Sequence, residues 1–415
     1  MSQLADQTTD FDITIVGGGM VGISLALLLA QQQRWKVLVL ESQPVKGAKV
    51  PEYSPSFDAR STALSWRSRC IFQQMGIWQQ IQQHAETIST IHVSDRGHFG
   101  LARLEAEEAG VDALGYVVEN SWLGSVLMQQ VAATDISLRG AANIKSIQPK
   151  AQSMQLTVEI GGEQQSIDSQ LLVVADGAAS TCAKMLGIHQ QNKAYGHSAI
   201  IANLSLQQPH RAVAYERFTD QGPMALLPLT DFKNSHRSAL VWTQPSEQAE
   251  ALMAADNRAF IDALQDRFGH RLGQFTQVGE RVVYPLARTI SEEQVRRRLV
   301  VVGNAAHSLH PVAGQGFNLS LRDIDCLAQC LINQPQQADV GELEPLLSYQ
   351  KQREQDQRNT LLFTDNLTKL FGLPSSMVAL GRNSGLLMMD LVPTLRNQFA
   401  HFGMGTTQSG ADHGQ

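Results

Sequence analysis

Apolar residues follow two rhythms along the chain. Short apolar runs at 11–16 and 36–40 bracket a longer apolar-rich stretch at about 20–33 that begins among glycines. A short run fits a buried strand and the longer stretch a helix. The chain therefore opens as β-α-β, with the helix as the crossover that parallel strands require. The pattern is helical again at 61–81 and at about 121–132. It then changes character. Runs at 154–160 and 166–174 flank Gly161-Gly162, a hairpin signal, and strand-like runs come after them at 198–206, 212–218, 224–229 and 238–243. These predict a mostly antiparallel sheet inserted into the opening unit. A buried parallel strand returns at 299–302, and most of the chain beyond it reads as helix. A polar tail at 408–415 is expected to be disordered.

A chain of 415 residues exceeds the usual single core, so two interleaved units are expected. A hydrophobic content of 43% with 17% charged residues places it among globular proteins. The formal net charge of −6 argues against a nucleic-acid binder. No run of about 18 apolar residues is present to span a bilayer. The N-terminus lacks the basic and apolar regions of a signal peptide, so a cytoplasmic location is expected. Four cysteines, Cys70, Cys182, Cys326 and Cys330, make no disulfide framework in so long a chain. Cys326 and Cys330 fall four apart on an expected helix, but no His or Cys nearby completes a metal site, and no metal is expected.

Chemistry enters with Gly17-Gly18-Gly19-Met20-Val21-Gly22, a G-x-G-x-x-G set between strand and helix. Glycine is needed where the chain turns tightly, where backbone approaches a pyrophosphate and where helix packs on strand. The helix N-terminus adds free N–H groups and partial positive charge. Glu41 closes the second strand, where a carboxylate can accept the ribose hydroxyls of an adenosine. The set predicts dinucleotide binding without separating FAD from NAD.

Two later strand ends extend it. The run at 171–175 ends in Asp176-Gly177, and that at 299–302 in Gly303-Asn304-Ala305-Ala306-His307. His310-Pro311-Val312-Ala313-Gly314-Gln315-Gly316-Phe317-Asn318 then leads into a helix that carries Asp323. With these motifs the chain resembles the flavoprotein aromatic hydroxylases of the para-hydroxybenzoate hydroxylase type. Those share an N-terminal G-x-G-x-x-G, a central Asp-Gly pair and a late Gly-Asp pair. The 310–318 segment is similar to the signature of the ubiquinone-biosynthesis hydroxylases. Segments 92–98, 216–219 and 301–306 look closest to the branch acting on 2-polyprenyl-6-methoxyphenol.

The resemblance implies an α/β fold: a Rossmann-like FAD-binding domain with an inserted, mostly antiparallel substrate sheet and C-terminal helices. The expected divisions are FAD-binding segments at 1–90, 119–185 and 286–335, substrate segments at 91–118 and 186–285, and helices at 336–407. It also implies hydroxylation of a polyprenylated phenol with O2 through a flavin hydroperoxide. NAD(P)H would bind transiently across the FAD face, since no second G-x-G-x-x-G is present. By the same resemblance Gly17, Gly18, Gly19 and Gly22 serve the pyrophosphate, Glu41 the ribose, and Arg60 contacts FAD. Asp176-Gly177 serves FAD and the reductant together, and Gly303-Asn304 meets the ribityl chain and phosphate. Pro311 through Asn318, including Gly314, Gln315 and Gly316, passes along the flavin ring. No catalytic residue is assigned; the ring-loop candidates are Pro311, Gly314 and Gly316. A helix starting near Gln315 would offset negative charge on the reduced ring.

Three positions depart from the family pattern: Asn304 for Asp, Ala183 for Arg and Ser320 for Gly. His307 and His310 invite a general-base role, but a structural role, bonded to backbone at a turn, is the expectation. Arg296-Arg297-Arg298 reads as a solvated turn. Glu216 and Arg217 either face substrate or pair on a sheet surface. An FAD-dependent isoprenoid reductase or dehydrogenase, and a non-catalytic flavin-holding subunit, are the competing functions; oxygen uptake separates them from a hydroxylase. A lipid substrate further suggests a peripheral contact at the inner membrane or with a ubiquinone-synthesis complex. Most of the apolar segment at 371–402 is expected to pack on the core, with part left exposed to dock there.

Overall fold

A computed structural model describes residues 9–45, 60–309, 314–372, 383, 387–388 and 390–406. Strands Thr9–Val16, Val37–Leu40, Glu163–Val174 and Leu299–Val301 form the core sheet, and their mainly aliphatic stretches at 13–16, 37–40, 171–174 and 299–301 are packed on both faces, as parallel strands between two covering layers must be. Their order is Val295–Arg296, Leu299–Val301, Glu163–Val174, Thr9–Val16, Val37–Leu40, Ser137–Arg139, parallel throughout except for the first pair. Ile13, Ile15, Val37, Val39, Leu171 and Val173 pack on one side with helices Met20–Ala30, Asn120–Ala132 and Gln315–Ile332. Val16, Leu38, Leu40, Leu172 and Val174 pack on the other with Met154, Leu156 and Val158.

The expected hairpin forms between Met154–Ile160 and Glu163–Val174, and Gly161 and Gly162 take φ of +61° and +89°. Such values suit the primed turn that matches strand twist. The hairpin belongs to the first sheet, not to the inserted one, because the far half of Glu163–Val174 pairs with Thr9–Val16. The helical reading of 61–81 also needs correction. Ser61–Ser65 is a strand paired with Gly115–Glu119, and helices Trp66–Gln74 and Trp78–Gln82 come after it. The Ser65 hydroxyl accepts from Ser68 N and so starts the first helix, and Gly76 at φ +74° separates the two.

Among the described residues the inserted sheet has nine strands, mostly antiparallel; Thr90–Asp95 and Val213–Thr219 pair in parallel. Helices Ser246–Ala254 and Asn257–Phe268 cover its back face over Ile200, Met224, Leu226, Leu240 and Trp242. Ala214, Leu229 and Ala239 on the front face pack against Val117 and against Ala400 and Met404 of helix Pro393–Met404. Glu119 and Arg237, both buried, bind at 2.9 Å and tie the small sheet of Gly115–Glu119 to this one.

Candidate functional site

Four strands end in register. Val16 lies opposite Leu40 and Val174, and Val174 opposite Val301. Gly17, Glu41, Ala175-Asp176 and Val302-Gly303 therefore emerge along one edge. Backbone bonds hold that edge: Gly17 N to Leu40 O at 2.8 Å, Ala175 N to Val16 O at 2.7 Å and Val302 N to Val174 O at 2.9 Å. It is the carboxyl edge of a parallel sheet at the point where strand order reverses, the position where such sheets bind ligands.

The glycines of the first loop divide into two groups. A Cβ on Gly17, whose φ is +114°, would lie 2.3 Å from Ala175 O, and one on Gly22 would lie 2.0 Å from Gly17 O. Those two glycines let backbone pass backbone. A Cβ on Gly19 would meet nothing within 4 Å. Gly19 starts helix Met20–Ala30 with no side-chain cap and no acid in the first turn, so the helix start faces open space. Gly18 N donates to Glu41 Oε2 at 2.7 Å, while Oε1 accepts from Gln43 N at 2.9 Å and Ser42 Oγ at 3.1 Å. The carboxylate is pinned with acceptor capacity remaining on Oε2.

Asp176 Oδ2 accepts from Cys182 N at 3.1 Å, but Oδ1 is buried without a partner. Gly177, at φ +91°, also faces open space. Gly303 sits tight on Val21, and Asn304 is exposed in the short turn Gly303–Ala305. A buried acceptor without a donor, an uncapped helix start and glycines opening on space fit an extended dinucleotide such as FAD. Of the departures, Ala183 is fully buried, and Ser320 Oγ bonds Gly316 O at 3.0 Å.

The second helix start is built differently. Helix Gln315–Ile332 begins on Gly314, left-handed at φ +61°, again with no side-chain cap or first-turn acid, and Gly316 opens on space. Gln315 is buried, its Nε2 3.4 Å from Gly403 O. All four hydrogen-bonding positions of the Asn318 amide are taken by protein. Its Oδ1 accepts from Ser65 N (2.9 Å) and Ser68 Oγ (2.7 Å), and its Nδ2 donates to Ala63 O (2.9 Å) and Gly314 O (2.8 Å). Asn318 thus holds Gly314 in place. His310 and Pro311 lie outside the described residues, as do 46–59 and the tail.

His307 precedes the ring loop and is buried, as expected of a structural histidine, but its partner is a carboxylate, not backbone. Nε2 lies 2.6 Å from Asp323 Oδ2, across the loop on helix Gln315–Ile332. Arg353 Nε donates to Asp323 Oδ1 at 2.6 Å, and Asp356 accepts from Arg353 and, at 2.8 Å, from Arg322. Burial alone would raise the Asp323 and Asp356 carboxyls; the arginines, with His307 beside Asp323, more than offset it, so both lie below the usual range. This clasp went unread in the sequence, although Arg353-x-x-Asp356 at helical spacing was a signal. The arginine run also needs correction. Arg298 is buried and pairs with Asp339 and Gln170 O, because its left-handed backbone turns the side chain inward.

The front face of the inserted sheet approaches the same region. Arg60 donates to the Tyr284 hydroxyl at 2.7 Å, bridging the small sheet to strand Val282–Ser291. One row across the face runs Glu216, Ala225, Val241, Ile201 and Val282. Apart from Ala225 it is half-exposed, which makes an apolar floor with one carboxylate. Neighbouring residues of a strand point to opposite faces, so Glu216 and Arg217 do not pair. Arg217 is on the back, near Arg271 and Arg96, where burial and those charges lower its pKa. His92, also on the back, is held down at about 4 by burial and by Arg271. The resemblance segments 92–98 and 216–219 meet here, Val93 opposite Glu216.

Comparison with known proteins agrees with this geometry. The family described as FAD binding domain matches residues 10–364. The ubiquinone hydroxylase UbiL of Rhodospirillum rubrum is 32% identical, over 97% of this chain and 91% of that protein. The 3-demethoxyubiquinol 3-hydroxylase of Escherichia coli is 29% identical, over 95% and 98%. Human mitochondrial ubiquinone biosynthesis monooxygenase COQ6 is 28% identical, over 96% and 93%. Among solved structures, p-nitrophenol 4-monooxygenase PnpA of Pseudomonas putida superposes with a TM-score of 0.77 at 16% identity, covering 97% of this chain and all of that one, a likeness of fold.

Proposed function

This chain belongs to the FAD binding domain family and is an FAD-dependent aromatic hydroxylase, and from that premise we propose that it hydroxylates the ring of a polyprenylated methoxyphenol in ubiquinone biosynthesis. NAD(P)H is the reductant and O2 the co-substrate. The observation that carries the reading is the alignment of Gly17, Glu41, Asp176 and Gly303 along one sheet edge, with the second uncapped helix start at Gly314.

Bound FAD supplies the oxygen activation that a side chain cannot. The chain's own residues bind, orient and shield. The N–H groups after Gly19 hold the pyrophosphate while Gly17, Gly18 and Gly22 shape the turn. Glu41 takes the adenosine ribose, Asp176-Gly177 serves FAD and the reductant, and Gly303-Asn304 faces the ribityl side. Gly314, Gln315 and Gly316 would present backbone N–H groups to the ring, and Arg60, bonded to Tyr284, would contact FAD as well. Phenol and tail lie along the floor of Val241, Ile201 and Val282, away from water.

The test is stoichiometry. The purified, FAD-loaded chain with NADH or NADPH and a short-tailed methoxyphenol should consume one O2 per hydroxylated product. Product formed without oxygen uptake would indicate a reductase instead.

The lipid tail bears on location. No helix among the described residues is long and apolar enough to cross a membrane. Leu387, Met388, Leu391 and Leu395 are exposed, as is Phe99, and the next residue, Gly100, donates its N–H to Asn383 Oδ1 at 2.7 Å. Phe399 and Phe402 instead pack edge-on or tilted against Phe363, and Ala400 is buried. The exposed residues fit peripheral docking at the membrane that stores the substrate. Replacing Leu387, Met388, Leu391 and Leu395 together by Ser should lower activity on long-tailed substrate in vesicles and spare the soluble one. Equal loss on both would overturn docking.

A further inference from the structure

Beyond the end of helix Asn257–Phe268, the back face of the inserted sheet carries positive charge that the reaction does not use. Tyr215, His92 and Arg103 lie opposite one another across three neighbouring strands. Arg217 follows Tyr215 by two residues, about 7 Å along the same face. Tyr215 meets Phe268, the last residue of the helix, edge-on at 5.6 Å between ring centroids. From the loop that comes next, Arg271 donates to Nε2 of the buried His92. Arg96 N bonds Phe218 O at 2.9 Å, and its guanidinium reaches Asp266 on the helix, which adds a fourth cation to the group.

Acids do not balance it. Asp266 and Asp220 lie 3.1 and 4.0 Å from Arg96, but both are exposed, and Asp220 also holds Arg267 at 2.7 Å. Glu105 is one row beyond Arg103, opposite Thr90. Asp95 faces the other side of the sheet, where Asn383 Nδ2 reaches it at 3.3 Å. Among the described residues no carboxylate pairs with Arg103, Arg217 or Arg271, and Nε of Arg217 is buried without an acceptor. Cations held this close repel one another, and an anion set among them would relieve that. The lowered pKa of Arg217, from burial and then from Arg271 and Arg96, has the same origin.

We propose that Arg103, Arg217 and Arg271, with Arg96 beside them, bind the phosphate of an anionic lipid, so that the chain docks on a bilayer by this edge of the sheet. The inference rests on the docking reading above and names the headgroup that docking selects. A guanidinium suits the task, since its planar fork meets two phosphate oxygens at once. The apolar side chains that would enter the bilayer are carried at the same edge. Leu101–Glu105 is the last strand of the sheet, and Arg103 N bonds Asp390 Oδ1 at 3.1 Å, with the exposed Met388 and Leu391 on either side of Asp390 in the chain. Exposed Phe99 lies in the turn that leads into the strand. Cations joined to apolar side chains fit a lipid surface better than an acidic protein. Docking there also gives the tail a way in. Glu216 lies opposite Val93 and Val93 opposite Ala102, so the row that floors the substrate site continues to the docked strand.

The probes are two vesicle preparations, one of phosphatidylcholine and one of phosphatidylcholine and phosphatidylglycerol in equal parts. The FAD-loaded full chain should sediment with the mixed vesicles much more strongly than with phosphatidylcholine. Salt at about 1 M, which shortens screening to about 3 Å, should remove most of that preference. One basic residue near an anionic surface contributes about fivefold in affinity, so Arg103→Gln and Arg271→Gln together should weaken binding to mixed vesicles about 25-fold. Both side chains are exposed, and binding to phosphatidylcholine, FAD content and turnover of the short-tailed phenol should not change. Arg103→Lys, which keeps the charge, should stay near wild type. Replacing Leu387, Met388, Leu391 and Leu395 by Ser should instead weaken binding to both preparations alike. Equal binding of the wild type to both, or a double variant that keeps the preference, would overturn the headgroup site and leave apolar docking in place. Binding to neither preparation would remove the docking reading as well.

Discussion

The two helix starts of the cofactor site are alike in lacking a side-chain cap and opposite in what holds them. Met20–Ala30 and Gln315–Ile332 both begin on glycine without a side-chain cap or first-turn acid. The first is fixed by close backbone passage and a helix buried almost all round, from Gly22 to Leu29. The second is fixed by side chains, through the Asn318 bonds and the ionic clasp of His307, Asp323, Arg353, Asp356 and Arg322. The first should be intolerant of a methyl group at Gly17 and Gly22 and indifferent to distant charge. The second should depend on the distant charges, with a methyl group accommodated at Gly316 but strained at the left-handed Gly314.

The largest expected effect comes from breaking the clasp. Arg353→Met removes the guanidinium that two buried carboxylates, Asp323 and Asp356, share, leaving them His307 and Arg322, and should cost about 3–5 kcal/mol in urea unfolding. Acid should strain the same place. Both carboxyls are lowered by folding, so their contribution is complete above the unfolded carboxylate range, near 3.9, and is lost as pH falls through the lower folded values. Asp323→Asn should therefore flatten the acid limb of the stability profile; an unchanged limb would show that other groups govern it.

At the first helix start, Gly22→Ala should cost about 1–3 kcal/mol or more, since its Cβ meets the carbonyl of Gly17 and not a movable side chain. Gly19→Ala should leave the melting temperature unchanged and weaken FAD binding alone. If Gly19→Ala unfolds the protein, the open space beside it is not a ligand site. Glu41→Arg removes the acceptor for Gly18 N and Gln43 N and puts a cation beside uncharged hydroxyls. The purified variant should be largely colourless; full FAD occupancy would remove Glu41 from the site.

The same contrast explains what the sequence made legible. Gly17 to Gly22, Glu41 and Asp176-Gly177 were readable because a turn, a strand end and a helix start are local events with residue types of their own. The parallel order of their strands came from the crossover. Arg353, thirty residues beyond Asp323, has no such local mark. Nor does Tyr284, which meets Arg60 only because the inserted sheet folds back. Ser61–Ser65 reads as helix in the sequence because its strand character comes from pairing with Gly115–Glu119, not from its own composition. Arg298 reads as solvated because a charge run shows its polarity and not its backbone angle.

Within the second region, Asn318→Ala separates bonding from ionic clasping. It leaves Ser65 N and the Ala63 and Gly314 carbonyls without this partner and should cost about 2 kcal/mol. The loss should appear in stability and in FAD affinity together, since Gly314 loses its tether. Asn318→Asp keeps Oδ1 but sets a buried carboxylate oxygen against the Ala63 and Gly314 carbonyls, and should cost at least as much as Ala. Loss of FAD affinity at full stability would mean instead that the amide itself touches the cofactor.

The smallest effect is expected at Asn304, which belongs to neither mode of holding. It is exposed on the turn Gly303–Ala305, so no substitution there removes a packed group, and unfolding should not distinguish the variants. Any difference must come from a bound ligand. If Asn304 accepts from a ribityl hydroxyl, Asn304→Asp keeps the acceptor and adds charge, whereas Asn304→Leu has none. One hydrogen bond contributes about 0.5–1.5 kcal/mol net, so the leucine variant should bind FAD roughly two- to thirteenfold more weakly than the aspartate variant. Titration of FAD into the deflavinated variants reads this directly. Equal affinities would place Asn304 off the cofactor and leave Gly303, tight against Val21, as the part of that turn that the site requires.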